Sequence, residues 1–176
     1  MNAPTPGVVR TRAYLAGAVV AEDFPVADVS EHLEVPGVVV WIDFCAPQRD
    51  QIQLLAGELG LHELAVDDAV GPHQRPKLDH YDTHLFLACH VLDLDPLGEL
   101  CQTEVDAFVS DRWLVTVRKD DGFDMTSVVQ RWDRAGRLAA HGVGFLLYAL
   151  LDEVVDSFTA CWQERVDLRD RIDELE

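Results

Sequence analysis

This sequence predicts an α/β fold: a central mixed sheet covered on both faces by helices, ending in one long helix. Three observations predict it. Runs rich in β-branched or alternating apolar residues are interleaved with helically spaced ones, in the order strands, helices, strands, helices. The 176 residues, 48% of them hydrophobic, suffice for one core of ordinary size and not for two. After Gly144 the chain contains neither proline nor glycine.

Residues 1 to about 9 read as a flexible lead-in. Thr11 to Val20 and Gly37 to Phe44 lack helical periodicity and read as strands, the second as a buried one through Val38-Val39-Val40-Trp41-Ile42-Asp43-Phe44. Pro47 then stands where a helix can begin, Ile52, Leu55 and Leu59 follow at helical spacing, and Gly60 supplies the stop. A second, short helix is expected over roughly Glu63 to Val70, ended by Gly71-Pro72. Beyond Pro76, Leu85, Leu87 and Cys89 alternate with Phe86, Ala88 and His90, and a further alternating run covers Val105 to Val109. Asp111-Arg112 separates that run from Trp113-Leu114-Val115-Thr116-Val117, the pattern of a tight antiparallel hairpin. Helical spacing resumes over residues 124 to 135.

In the last segment, apolar residues recur at Leu147, Leu151, Val154, Phe158, Cys161, Leu168, Ile172 and Leu175, with Arg165 out of character. Steps of four and three make a heptad seam, so this helix should pack against other helices. At about 1.5 Å per residue it would run some 50 Å, more than a domain of this size needs. The expected division is therefore an α/β domain over 1–143 and the start of a long stalk helix over 144–176.

Composition removes several classes of function. Thirty-two acidic residues against fourteen basic give a net charge of −18, which repels nucleic acid and anionic lipid and favours cations. No apolar run approaches the ~20 residues of a membrane-spanning helix. Met1 to Gly7 lacks the basic and apolar regions of a secretory signal. Cys45, Cys89, Cys101 and Cys161 are widely spaced without Cys-x-x-Cys, as reduced core thiols would be. Neither Gly-x-Ser-x-Gly nor a glycine-rich phosphate loop is present, and His62-Glu63 is followed by Val66 where a zinc-binding helix would carry its second histidine. Enzymatic chemistry is not expected. His80 and His84 on one strand would lie about 13 Å apart, too far to share a zinc ion. Asp93 to Gly98 echoes a calcium loop, but Leu97 stands at a ligand position and strands flank it, so a hairpin turn is expected.

The carboxylates that could carry chemistry are Asp67 and Asp68 on the short helix and Asp152, Glu153 and Asp156 on the long one. Adjacent helical residues project about 100° apart, so Asp67 and Asp68 suit two neighbouring sites better than one chelate. Asp152 and Asp156 share a face. Hard cations such as Mg²⁺ keep much of their water and need few carboxylate oxygens. By themselves these residues fit solvated surface acids better than a metal site.

A series of motifs carries a family resemblance. Trp41-Ile42-Asp43 precedes the proline-led helix. Leu59-Gly60-Leu61-His62-x-Leu64-x-x-Asp67-Asp68 and His73-Gln74-Arg75-Pro76-Lys77 with Tyr81 come next. Leu114-x-Thr116-Val117-Arg118 and Leu146-Leu147-Tyr148-Ala149-Leu150-Leu151-Asp152-x-x-Val155-Asp156 complete the series in order. From about residue 38 onward the chain resembles the cytoplasmic domain of CorA-type magnesium transporters. That resemblance implies an α/β/α sandwich, a homopentamer, and a stalk helix running on into a membrane span with a Gly-Met-Asn motif that this chain does not contain. It also implies regulatory Mg²⁺ bound between neighbouring cytoplasmic domains, holding the pore closed. Asp68 matches the main regulatory carboxylate, and Asp67 and Asp152 match ligands of an adjoining site. Asp67 stands where the family often has Glu, and Glu63 where it usually has Pro. The cation implied is Mg²⁺, with Co²⁺, Ni²⁺ or Zn²⁺ as alternatives, and no partner is a nucleic acid. Two other readings compete: the funnel domain of a related zinc transporter, and a free-standing protein that uses its last helix as a coiled-coil handle.

Overall fold

A computed structural model describes residues 7–95, 97–135 and 138–173. Seven strands form one sheet in the order β2-β1-β3-β7-β6-β5-β4. They are β1 (Val8–Leu15), β2 (Ala18–Glu22), β3 (Val38–Cys45), β4 (Lys77–His80), β5 (Leu85–Leu94), β6 (Leu100–Val109) and β7 (Trp113–Arg118). The sheet is mixed: β3 and β7 pair in parallel, with Val40 opposite Trp113, and every other neighbouring pair is antiparallel. Helices α1 (Val29–Glu34), α2 (Arg49–Leu59) and α3 (Glu63–Val70) cover one face, and α4 (Thr126–Arg134) and α5 (Val143–Asp173) the other.

Strand alternation builds both cores at once. Val38, Val40, Ile42 and Phe44 of β3 turn toward Ile52 and Leu55 of α2 and Ala65, Val66 and Ala69 of α3. Trp41 turns the other way, onto Trp132 of α4 with ring centroids 4.8 Å apart, and joins Leu146, Ala149 and Leu150 of α5. A strand buried on both faces is nearly continuous in apolar residues. Its exception is Asp43, completely buried, which takes Arg118 Nη2 at 2.6 Å and Nε at 3.2 Å and accepts the Thr116 hydroxyl at 2.7 Å. Arg118 Nη1 goes on to the Phe123 carbonyl at 2.6 Å, and Trp41 Nε1 donates to Thr116 Oγ1 at 3.1 Å. Trp41-Ile42-Asp43 and Thr116-Val117-Arg118, quoted above as separate motifs, are thus the two halves of one buried network across the parallel strand pair.

The expected helices at Glu63 to Val70, at 124 to 135 and after Pro47 are found, as is the β6–β7 hairpin. Arg49 opens α2 behind a Gln48/Gln51 capping box, and Gly60 closes it at φ 66°. His62 caps α3, its Nδ1 accepting the Leu64 N–H at 3.2 Å. β5 and β6 form the expected hairpin, and at its turn Asp95 accepts the Leu97 and Glu99 N–H groups. Pro96 lies outside the described residues.

Four elements differ from expectation. Thr11 to Val20 is not one strand: Ala16 at φ 50° and Gly17 at φ 83° make a two-residue turn between β1 and β2. Helix α1 and strand β4 are additional, and at six and four residues they are too short to show periodicity. The heptad seam of α5 is corrected as well. Leu146, Leu150, Val154 and Cys161 are buried against the sheet, while Phe158 is 49% and Trp162 72% exposed. The helix carries two apolar stripes side by side, about 100° apart, and the expected seam wove between them. The inner stripe holds α5 to the sheet as far as Cys161, with Ser157 Oγ accepting the Leu92 N–H at 3.1 Å. The outer one starts at half-buried Leu151 and faces solvent through Val155, Phe158 and Trp162. Leu175 and the side chains of Leu168 and Ile172 lie outside the described residues, as do residues 1–6 of the lead-in.

Candidate cation site

Helix α3 presents Asp67 and Asp68 at its C-terminal end. As their 100° separation requires, they turn to different neighbours. Asp67 pairs with Arg49 in the first turn of α2. Asp68 accepts Lys77 Nζ at 2.6 Å on Oδ2. The same ammonium lies 2.9 Å from Asp79 Oδ2 and 5.4 Å from the centre of the Phe86 ring. Hydrogen bonds to Asp68 and then Asp79 hold the Lys77 ammonium well above its ordinary pKa. Asp152 lies in α5 on the opposite face of the sheet and pairs with Arg131 of α4.

A second layer beneath α3 fixes where Asp68 stands. Lys119 follows β7, and its Nζ donates to the carbonyls of Asp68 (3.0 Å), Ala69 (2.6 Å) and Gly71 (3.2 Å). These are carbonyls at the negative end of the helix, where a cation is stabilising. Its three protons are used there, so Lys119 meets Glu104 Oε1 and Asp106 Oδ2, each 3.2 Å away, by charge alone. Both carboxylates belong to β6 and are fully buried. Glu104 Oε2 also takes the Gln74 N–H at 2.8 Å and stands 3.1 Å from His73 Nδ1. Burial pushes the pKa of Asp106 up to about 7 against the pull of Lys119. Gly71 is required at the helix end, because a Cβ there would meet the Asp67 carbonyl at 2.7 Å.

The expected site residues are therefore brought together only in part. Asp67 and Asp68 share a helix end, but Asp152 is across the sheet, and among the described residues no group of three His, Cys, Asp or Glu side chains is placed to hold a metal ion. The donors that are present suit a hydrated hard cation, which needs one or two carboxylates and retains its water. The pair Asp68 and Asp79 already accommodates one positive charge between its oxygens, that of Lys77. Sequence reasoning missed Asp79, Lys119, Glu104 and Asp106. The last two were detectable in principle: acids at alternate positions of an otherwise apolar strand with both faces covered demand a buried partner. His80 ends β4 and is exposed, while His84 is buried beside Tyr81, so the two do not share a strand.

The family model described as "CorA-like Mg2+ transporter protein" matches residues 36–176. The chain belongs to this family. CorA-like proteins are transporters rather than enzymes, and two relatives share its sequence over most of this chain. YfjQ of Bacillus subtilis is 30% identical over 147 residues, covering 83% of this chain and 44% of YfjQ. The cobalt/magnesium transport protein CorA of Thermotoga maritima is 29% identical over 140 residues, covering 77% of this chain and 39% of its own length. The chain thus spans less than half the length of these relatives. The fold agrees with that of the soluble domain of CorA from Methanocaldococcus jannaschii: TM-score 0.64 at 14% identity, over 96% of this chain and 62% of that one. Among the described residues, no helix is long and apolar enough to cross a membrane.

Proposed function

We propose that this CorA-like chain is the cytoplasmic domain of a divalent-cation transporter and that it senses internal Mg²⁺ through Asp68, with Asp67 and Asp152 serving an adjoining site. One observation carries the reading: Asp68 is solvent-accessible at a helix end whose carbonyls Lys119 clamps to the sheet, so the carboxylate is presented on a rigid support. Asp152 lies on the other face of the sheet, so an ion that used both Asp152 and the α3 carboxylates would take them from different copies. The reading accordingly includes a ring of identical subunits, a homopentamer, anchored in the membrane by residues outside this chain. The outer apolar stripe of α5 supplies a surface for such packing.

Acidic subunits brought together repel one another, and cations held between them offset the repulsion, so binding favours the closed assembly by mass action. This sensing involves no bond chemistry. The relative from Thermotoga maritima is named for cobalt and magnesium, which makes Co²⁺ the first alternative to test, before Ni²⁺ and Zn²⁺. Limited proteolysis with and without excess Mg²⁺ tests the reading. Mg²⁺ should slow cleavage between α3 and β4, and Asp68→Ala should abolish that protection. Equal protection in both proteins would remove Asp68 as the sensor.

A further inference from the structure

Asp68 is not a free carboxylate awaiting an ion. Its Oδ2 is bonded to Lys77 Nζ at 2.6 Å, and that ammonium also bridges to Asp79 Oδ2 at 2.9 Å. The two acids come from different elements, α3 and β4, so the bridge ties the sensor helix to the sheet edge. All three side chains remain open to water, at 27%, 31% and 42% exposure for Asp68, Lys77 and Asp79. An ion from solution reaches the pair without any opening of the fold.

The other acids follow the same pattern, Asp67 holding Arg49 and Asp152 holding Arg131. Lys77 differs from them in bridging two carboxylates. It also differs from Lys119, whose ammonium is locked by three carbonyls and two buried acids. Among the described residues, the Lys77 ammonium is held by Asp68, Asp79 and the face of Phe86, at the end of a flexible four-carbon stem that can swing into solvent.

We propose that Lys77 is a tethered counter-ion that competes with the sensed cation for Asp68, and that Asp79 is the second carboxylate the incoming ion engages. This inference rests on the reading of Asp68 as the sensor. Its chemistry is an exchange of cations without covalent change. With Lys77 in place the three side chains carry one net negative charge. With its ammonium displaced, the two carboxylates left at the site carry two, which matches a divalent ion. A monovalent ion replaces one unit charge by another and loses the advantage of the tether, so Na⁺ and K⁺ are rejected. Mg²⁺ doubles the positive charge at the pair, keeps most of its water, and displaces the lysine when abundant. Lys77 thereby raises the concentration at which Asp68 responds and sharpens selection for divalent ions.

The test is an amide NMR titration of the chain with Mg²⁺, comparing wild type with Lys77→Gln, Asp79→Asn and Asp68→Asn. Loss of a competing, partly exposed ion pair should tighten Mg²⁺ binding by Lys77→Gln about two- to fivefold. The same variant should become sensitive to K⁺, and Asp79→Asn should bind more weakly than wild type. In wild type, Mg²⁺ should speed reductive methylation of Lys77, a readout that does not depend on any variant folding. Unchanged or weaker Mg²⁺ binding by Lys77→Gln, or a Lys77 whose methylation ignores Mg²⁺, overturns the competition while Asp68→Asn still abolishes the shifts. If Asp68→Asn leaves the shifts intact, the sensor reading itself fails.

Discussion

Lys119 Nζ donates to the main-chain carbonyl of Asp68 at 3.0 Å while standing 3.2 Å from the buried carboxylates of both Glu104 and Asp106. One ammonium therefore stands against two acids inside the domain and holds the end of the helix that presents the surface acids. The position of Asp68 is set from within the core rather than by its own surroundings.

Removing that ammonium should be costly. Lys119→Met leaves two buried carboxylates facing each other without a counter-charge and frees the last carbonyls of α3. A loss of about 3–5 kcal/mol is expected, as for other buried pairs deprived of one partner. Urea denaturation of the variant at neutral pH measures it.

Asp106 gives the domain a pH dependence of definite sign. Its pKa rises from 3.8 to about 7 on folding, chiefly by burial, so the folded state binds the proton more tightly than the unfolded one. Stability from this group is complete below the unfolded value and is lost as pH rises toward about 7. Asp106→Asn should flatten that slope and make the domain more stable than wild type above neutrality, by about 1–2 kcal/mol. Denaturation midpoints across the same pH range decide it. A slope that persists in the variant would assign the effect to another group.

The Asp43–Arg118 pair calls for a different substitution. Arg118→Lys keeps the charge but cannot reproduce two contacts to Asp43 and a third to the Phe123 carbonyl from one planar group. It should destabilise by about 2–3 kcal/mol, read by denaturant titration, without altering the relative responses of Asp67 and Asp68 to Mg²⁺. The network lies on the α4–α5 face of the sheet, away from α3.

Gly71→Ala should act on the site through the backbone. The added Cβ would approach the Asp67 carbonyl to 2.7 Å, so the last turn of α3 must shift. A cost of about 1–3 kcal/mol is expected, with amide shifts confined to α3 and the segment leading into β4.

The long, strongly patterned elements were legible in the sequence. The double-sided apolar run of β3 and the capped, glycine-stopped helices α2 and α3 have periodicity and end signals that local chemistry enforces. The Ala16-Gly17 turn, α1 and β4 were not, because each is short and held by its neighbours in the sheet or core. On α5 the apolar period was visible, but which of two adjacent stripes would be buried depends on the fit of Leu146 and Leu150 to the sheet. Asp67, Asp68 and Asp152 were picked out by position along the chain. What surrounds them was not, since Lys77 and, through it, Asp79 reach Asp68 by the path the chain takes from α3 into β4, and Lys119 comes from the end of β7.

As the proposed sensor, Asp68 is a weak ligand within one chain, joined there among the described residues by Asp79. Calorimetric titration of residues 1–176 with Mg²⁺ tests this most directly. The expected result is binding on the order of millimolar, the range of sites with few protein ligands, and its loss in Asp68→Asn. A tight, stoichiometric Mg²⁺ site in this chain alone that survives Asp68→Asn would contradict it.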